Sequence, residues 1–171
     1  MLPALYLIPV TLGEAPLGRV LPQWNASVVN QIRHFIVENV RSARRFLRLM
    51  DRQFPIDECT FMEMGKHADE RLFASYLAPL RSGQSVGVIS EAGCPAVADP
   101  GALVVELAQR EGLRVIPLVG PSSIILSVMS SGLSGQNFAF NGYLPVEPDL
   151  RAKRLKALEA RAWQEGQTQL L

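Results

Sequence analysis

The residues best suited to chemistry lie between Ser85 and Ser123. The stretch SVGVISEAGCPAVADPG packs Gly93, Pro95, Pro100 and Gly101 into one turn that also holds Cys94. Glycines let backbone approach a ligand closely, and prolines stiffen the turn that does so. A helical stretch, ALVVELAQREG, follows, then an apolar run, Val115–Leu118, and a second turn, Gly120-Pro121-Ser122-Ser123. Those serines can cap the next helix, and their hydroxyls and N–H groups can also hydrogen-bond a ligand carboxylate or amine. Ordinary connections between strand and helix run about two to six residues. The first turn is far longer, which favours a functional reading. Neither turn has the glycine spacing of a dinucleotide fingerprint or the lysine of a Walker A loop, so a phosphate-cradling nucleotide site is disfavoured.

Other candidates flank these turns. Glu38 ends an apolar run, His34–Val37, at the same predicted edge. There a carboxylate could act as general base or bind an acceptor hydroxyl; the alternative is an ion pair with Arg41 that fixes the loop. The helix that follows carries Arg41, Arg44, Arg45, Arg48 and Arg52, spaced so that most share one face. Such a row is either a solvated face or a strip that contacts phosphates. Cys94 precedes a helix but has no His near it in sequence, and it reads as a small residue lining the pocket. His34 and His67 have no partner at ligand spacing, so no metal site is expected.

The elements that must position these residues follow from the apolar pattern. Ala4–Val10 reads as a buried strand and Glu14–Trp24 as a Gly/Pro-rich loop. Ser27–Gln31 reads as a short helix, His34–Val37 as a strand, Ser42–Gln53 as a helix closed by Pro55, and Glu58–Met62 as a short strand. Asp69–Arg81 reads as a helix with Leu72, Tyr76, Leu77 and Leu80 on one face, stopped at Ser82-Gly83. Strand Ser85–Ile89, helix Ala102–Arg110, strand Arg114–Leu118 and a serine-capped helix Ser122–Ser131, ended by Gly132, come next. Strand Phe138–Tyr143, a basic amphipathic helix Asp149–Gln164 and a strand-like tail Gln167–Leu171 complete the chain. This alternation predicts an α/β fold, a mostly parallel sheet with helices on both faces, plus the start of a second α/β domain. The domains are expected at 1–132, carrying the ligand loops, and 133–171. Both special turns then lie at the carboxyl ends of strands, where ligands bind in open α/β sheets.

Bulk composition agrees. The 171 residues bound one domain or at most two small ones, and 48% hydrophobic residues with 19% charged suit a packed core. A formal net charge of +1 argues against a nucleic-acid field over the whole surface and leaves room for a local basic patch. Cys59 and Cys94 fit neither metal spacing nor a disulfide framework, which predicts a reduced, cytoplasmic protein. MLPALYLIPV lacks the basic leader of a signal peptide, and the apolar neighbourhood Val115–Leu133 is too interrupted by Gly120, Pro121 and serines to span a membrane.

The two turns also carry a family resemblance. VISEAGCPAVADPG and the later VIPLVGPSS are similar to the pattern V/I-S-D-A-G-x-P-x-I/V-x-D-P-G followed by V-x-P-L-P-G-P-S/C. That pattern marks the tetrapyrrole methylase superfamily, the class III S-adenosylmethionine-dependent methyltransferases. The chain looks most like the branch of small-subunit ribosomal RNA cytidine ribose 2′-O-methyltransferases. LYLIPVTLGE resembles the family's opening L-Y-x-x-x-T-P-I-G-N, FIVENVR resembles I-A-A-E-D-T-R, and FAFNGYLP with Arg151 resembles F-x-x-x-G-F-L-P and its downstream Arg.

The resemblance implies two α/β domains with S-adenosylmethionine in the cleft between them, in a homodimer. It assigns Pro9, Gly93, Cys94, Pro95, Val97, Pro121, Ser122, Ser123, Phe140, Gly142 and Tyr143 to the cofactor and matches Arg151 to the family's downstream Arg; with the residues read above, Glu38 and Arg41 are the catalytic candidates and Arg45, Arg48 and Arg151 the substrate candidates. No metal is implied. The chain departs from the pattern at Val10-Thr11-Leu12-Gly13-Glu14, where the family has T-P-I-G-N, at Asn39 and Val40, where it has D-T, at Glu91, where it has Asp, and at Cys94, where it has Thr; the cofactor loops are kept better than the substrate loops. Methyl transfer to a ribose 2′-hydroxyl of ribosomal RNA is the favoured activity. Methylation of a small molecule such as a tetrapyrrole, and a non-catalytic cofactor- or RNA-binding relative, are the alternatives. Because the resemblance runs on past residue 171 in family members, these residues are expected to be a fragment. A well-folded first domain, weak or no cofactor binding, no methyl transfer and packing of the second-domain elements on a neighbouring copy are expected with it.

Overall fold

In the computed structural model, which describes residues 2–64 and 70–171, the apolar runs become parallel strands. They are β1 (Leu5–Ile8), β2 (His34–Val37), β3 (Thr60–Glu63), β4 (Val86–Ile89) and β5 (Val115–Pro117). They form one sheet in the order β3-β2-β4-β1-β5, parallel at every pairing. The helices between them are α1 (Gln23–Val29), α2 (Val40–Met50), α3 (Glu70–Tyr76), α4 (Ala78–Arg81) and α5 (Gly101–Arg110).

The chain moves one way along the sheet from β1 to β2 and β3, through α1 and α2. It moves back from β3 to β4 and on to β5, through α3, α4 and α5. Right-handed crossovers put those two sets of helices on opposite faces. The packing shows it. Tyr6, Ile8, Phe35 and Val37 join Val29 and Phe46 in one buried cluster, while Leu5, Ile36, Val86 and Val88 join Phe73, Leu80 and Val104 in the other. Successive residues of one strand serve opposite faces and both faces are covered, which is why these strands read as continuous apolar runs.

Local chemistry sets the boundaries. Asn39 caps α2, its Oδ1 accepting from the N–H groups of Arg41 (2.9 Å) and Ser42 (3.1 Å). Ala43, Phe46 and Leu47 form the buried face of α2 and leave the arginines outside. The single helix expected over 69–81 is two helices, broken at Leu77 because Pro79 supplies no N–H and crowds the preceding turn. Asp69, its expected start, lies outside the described residues, as does His67. Phe73 is buried where the sequence pattern put Leu72, which is 44% exposed. The expected loop 14–24 holds a short 3-10 turn at Leu17–Arg19, and α1 starts at Gln23, earlier than expected, just after Pro22.

The chain divides into two compact units, Met1–Pro121 and Ser122–Leu171. The division follows β5, the edge strand of the sheet, so α6 (Ser123–Ser131) falls in the second unit and not before a break at Gly132. That unit also contains β6 (Phe138–Phe140), α7 (Pro148–Glu165) and β7 (Thr168–Leu170). β6 is shorter than the strand expected to Tyr143, and it pairs in parallel with β7. Gly166, at φ 58°, ends α7 in the left-handed conformation.

One glycine is required by packing. β4 lies between β1 and β2, and a Cβ on Gly87 would stand 2.6 Å from Ile8 Cδ1 and 3.0 Å from Phe35 Cδ1. Gly87→Val should therefore destabilise the first unit by about 1–3 kcal/mol through overpacking. A thermal melt showing an unchanged midpoint would contradict this packing.

Candidate functional site

β1 and β4 are neighbours, yet the chain leaves β1 toward β2 and leaves β4 toward β5. The two connections depart over opposite faces, so a crevice opens beyond their carboxyl ends, the topological switch point of the sheet. The loops after β1, β4 and β5 meet there and are tied together. The Val10 N–H donates to the Gly93 carbonyl (2.9 Å), and the Leu118 N–H to the Leu7 carbonyl (2.9 Å). The Cys94 thiol donates to the Pro121 carbonyl (3.3 Å). A Cβ on Gly120 would collide with the Pro9 ring, so glycine is needed for that close approach. Gly93 is buried at φ 67°, the left-handed turn conformation that glycine adopts without strain.

The long loop after β4 is held by Asp99. Its carboxylate accepts from the Ala96 N–H through both oxygens (3.0 and 2.9 Å) and from the Gly101 N–H (2.7 Å). Ala96 and Ala98 sit at φ 66° and 58°, so the staple holds strained backbone in place. Burial raises the Asp99 pKa above its ordinary value, and the two backbone bonds oppose that rise. Asp99 was not among the site residues expected from sequence, although the D-P-G triplet carried the signal. Pro95 is buried in this loop and Val97 is exposed. Burial pushes the Cys94 thiol up, which fits a pocket-lining residue better than a nucleophile.

Glu38, at the end of β2, faces the same loop. Its Oε1 accepts from the Glu91 N–H (3.0 Å). The Glu91 carboxylate in turn accepts from the Ser42 hydroxyl on α2. Burial raises the Glu38 pKa most; the Glu91 N–H opposes it, and the nearby charges of Asp99 and Glu91 add to it. Among the described residues no ion pair joins Glu38 to Arg41. Arg41 and Arg48 are exposed, Arg48 donating to the Arg52 carbonyl (2.8 Å). Arg44 turns away toward Asp57 (3.4 Å) and the Phe61 ring. Arg45 lines a cleft of about 420 Å3 with Thr11, Ser42, Phe46, Ser90 and Glu91, at the crevice itself.

The remaining expected residues belong to the second unit. Ser122 caps α6, its hydroxyl accepting from the Ile125 N–H (3.4 Å), and Ser123 is the first helical residue. Phe140 ends β6, Gly142 takes φ 73°, and Tyr143 is 85% exposed. Arg151 donates to the Val146 carbonyl (3.4 Å). The structure thus gathers Pro9, Gly93, Cys94, Pro121, Glu38 and Arg45 at one edge of the first unit. Among the described residues no group of His, Cys, Asp and Glu is placed to hold a metal ion, and no helix is long and apolar enough to cross a membrane.

The chain is 30% identical over 154 residues to the ribosomal RNA small subunit methyltransferase I of Xylella fastidiosa, covering 90% of this chain and 54% of that protein. It is 30% identical over 156 residues to the Escherichia coli O157:H7 protein of the same name, covering 91% and 52%, and 31% identical over 153 residues to that of Vibrio cholerae, covering 90% and 50%. The chain spans about half the length of these curated relatives. Among solved structures it resembles a uroporphyrin-III-C-methyltransferase from Thermus thermophilus, with a TM-score of 0.53 at 19% identity, covering 82% of this chain and 60% of that one. No family model matches the chain. The fold and its edge loops define a tetrapyrrole methylase-like α/β protein. Over about nine-tenths of its length the chain is similar to the small-subunit ribosomal RNA methyltransferases I.

The Glu38 environment has a consequence for stability. Its carboxyl titrates above the ordinary 4.5, so the folded chain holds that proton more tightly than the unfolded chain does. The stability it contributes is present below pH 4.5 and is lost as pH rises through the folded value. Asp99, also raised, adds the same sign. Glu38→Gln keeps an acceptor for the Glu91 N–H and removes the charge. The variant should melt no lower than the parent at pH 7 and show a smaller fall in melting temperature between weakly acidic and neutral pH. A lower midpoint at pH 7 would contradict this reading of Glu38.

Proposed function

We propose that the chain carries the S-adenosylmethionine site of a methyltransferase whose acceptor is a ribose 2′-hydroxyl of ribosomal RNA. The observation that carries this reading is the convergence of the loops after β1, β4 and β5 at the switch point, tied through Val10–Gly93 and Cys94–Pro121. The relatives, named for methylation of ribosomal RNA, support it. The protein acts in the cytoplasm as a homodimer.

The residues present fit the cofactor. Its sulfur bears a positive charge, and at this edge Asp99 and Glu91 lie near enough to Glu38 for their negative charges to raise its pKa. A cation placed there relieves that repulsion. In the first unit Pro9, Gly93, Cys94, Pro95, Val97 and Pro121 would hold it, and the family likeness assigns Ser122, Ser123, Phe140, Gly142 and Tyr143 to it as well. When bound, it supplies an activated methyl group, and transfer then depends chiefly on positioning. Glu38, with its raised pKa and its place beside the cleft, is suited to take the proton of an acceptor hydroxyl. Arg41, Arg45 and Arg48 on α2, with Arg151, would meet the phosphates on either side of that hydroxyl.

Isothermal titration of the intact protein with S-adenosylmethionine or S-adenosylhomocysteine, without metal, should show binding. Ser122→Trp should weaken it without unfolding the protein. No binding at millimolar cofactor by folded protein would sink the methyltransferase reading. If RNA is the acceptor, replacing Arg41, Arg45 and Arg48 together with Ala should weaken RNA binding and flatten its dependence on salt. Each lost phosphate contact should reduce the log–log slope by about one. An unchanged slope would assign that face to solvation and favour a small acceptor.

A further inference from the structure

Asn25 is a polar side chain sealed away from water. It lies in α1 and is 1% exposed. Its Nδ2 donates to the Val119 carbonyl at 2.9 Å, and its Oδ1 is buried with no partner among the described residues. An amide buried with one polar atom unsatisfied carries a desolvation cost that an apolar side chain would not, and Val119, 72% exposed, stands where water can take the place of the lost donor. The folding of α1 therefore gives no reason for asparagine at this position, and its hold on Val119 does.

Val119 is where the chain leaves the sheet. Leu118 makes the last β5-side bond to β1, through its N–H to the Leu7 carbonyl. From there the loop is kept in place by side chains: the Val119 carbonyl by Asn25, the Gly120 backbone by the Pro9 ring and Leu21, and the Pro121 carbonyl by Cys94. Asn25 acts first in that series. It also reaches the loop from a helix on the far side of β1 in sequence, so it couples the segment after β1 to the segment after β5.

We infer that Asn25 is a positioning residue for cofactor binding, its carboxamide fixing the Val119–Pro121 loop in the conformation that takes S-adenosylmethionine. The inference rests on the cofactor reading above. It predicts that stability and binding move apart, which a merely structural residue would not do.

The test is Asn25→Leu in the full chain, measured three ways: thermal melting, backbone order parameters of Val119 and Gly120 by nitrogen-15 relaxation, and affinity for S-adenosylhomocysteine by titration. The melting temperature should stay the same or rise. The order parameters should fall from the rigid value of about 0.85 toward about 0.6. Affinity should drop about fivefold, the worth of one hydrogen bond. Unchanged order parameters, or unchanged affinity, overturn the inference. A loss of stability that parallels the loss of affinity overturns it too, since Asn25 would then serve the fold. Should Asn25→Leu fail to fold, Asn25→Ala is judged by the same split, and failure of both to fold assigns Asn25 to folding and ends the proposal. A parent protein that binds no cofactor removes the reading itself, and the order parameters then report separately whether Asn25 holds the loop.

Discussion

β1 is four residues long, yet it bonds in parallel to β4 along Leu5–Ile8 and to β5 along Leu5–Leu7. Because both pairings are parallel and in step, the carboxyl ends of the three strands coincide, and the loops that follow them must meet. The buried alternation of Tyr6 and Ile8 to one face and Leu5 and Leu7 to the other fixes that register, since a slip of one residue would exchange the two faces. The site is thus a consequence of the central strand, and the glycines and prolines of the loops refine a meeting that the sheet has already arranged.

The electrostatics of the crevice follow from the same placement. Glu38 ends β2 and Glu91 begins the loop after β4, its neighbour, so the two carboxylates are carried to one edge by adjacent strands. Asp99 closes the same loop. Each carboxylate is satisfied by hydrogen bonds from backbone or hydroxyl, which stabilises it where burial would otherwise neutralise it. Such an edge disfavours a bound phosphate and suits a cation, while Arg45 of α2 lines the cleft beside it. Opposite fields set side by side are what a positively charged methyl donor and a polyanionic acceptor would each require.

Much of the fold was legible because it is written in local patterns. β2 reads directly as His34–Val37, since an apolar run ends at a polar pair. The long turn after β4 stands out by its density of glycine and proline, and the serine cap of α6 by residue type. What was not legible depends on contacts distant in sequence. Glu38 and Glu91 are 53 residues apart and Asn25 and Val119 are 94 apart, and no periodicity marks either pair. The ion pair entertained between Glu38 and Arg41 did not form because Glu38 turns to the Glu91 N–H and Asn39 takes the helix cap. The break between α3 and α4 is written in Pro79, but the apolar residues at 72, 76, 77 and 80 continue a helical pattern across it and mask the break. The division of the chain after Pro121 reflects the edge position of β5, which only the strand order reveals.

The central claim is that the loops after β1, β4 and β5 form one cofactor-binding edge. The most direct measurement is amide chemical-shift mapping of the protein as S-adenosylhomocysteine is added. The account predicts that the largest shifts in the first unit fall together on Val10–Leu12, Gly93–Asp99 and Val119–Gly120. Shifts centred instead on the amino ends of the strands, or saturation with none of these loops perturbed, would contradict it.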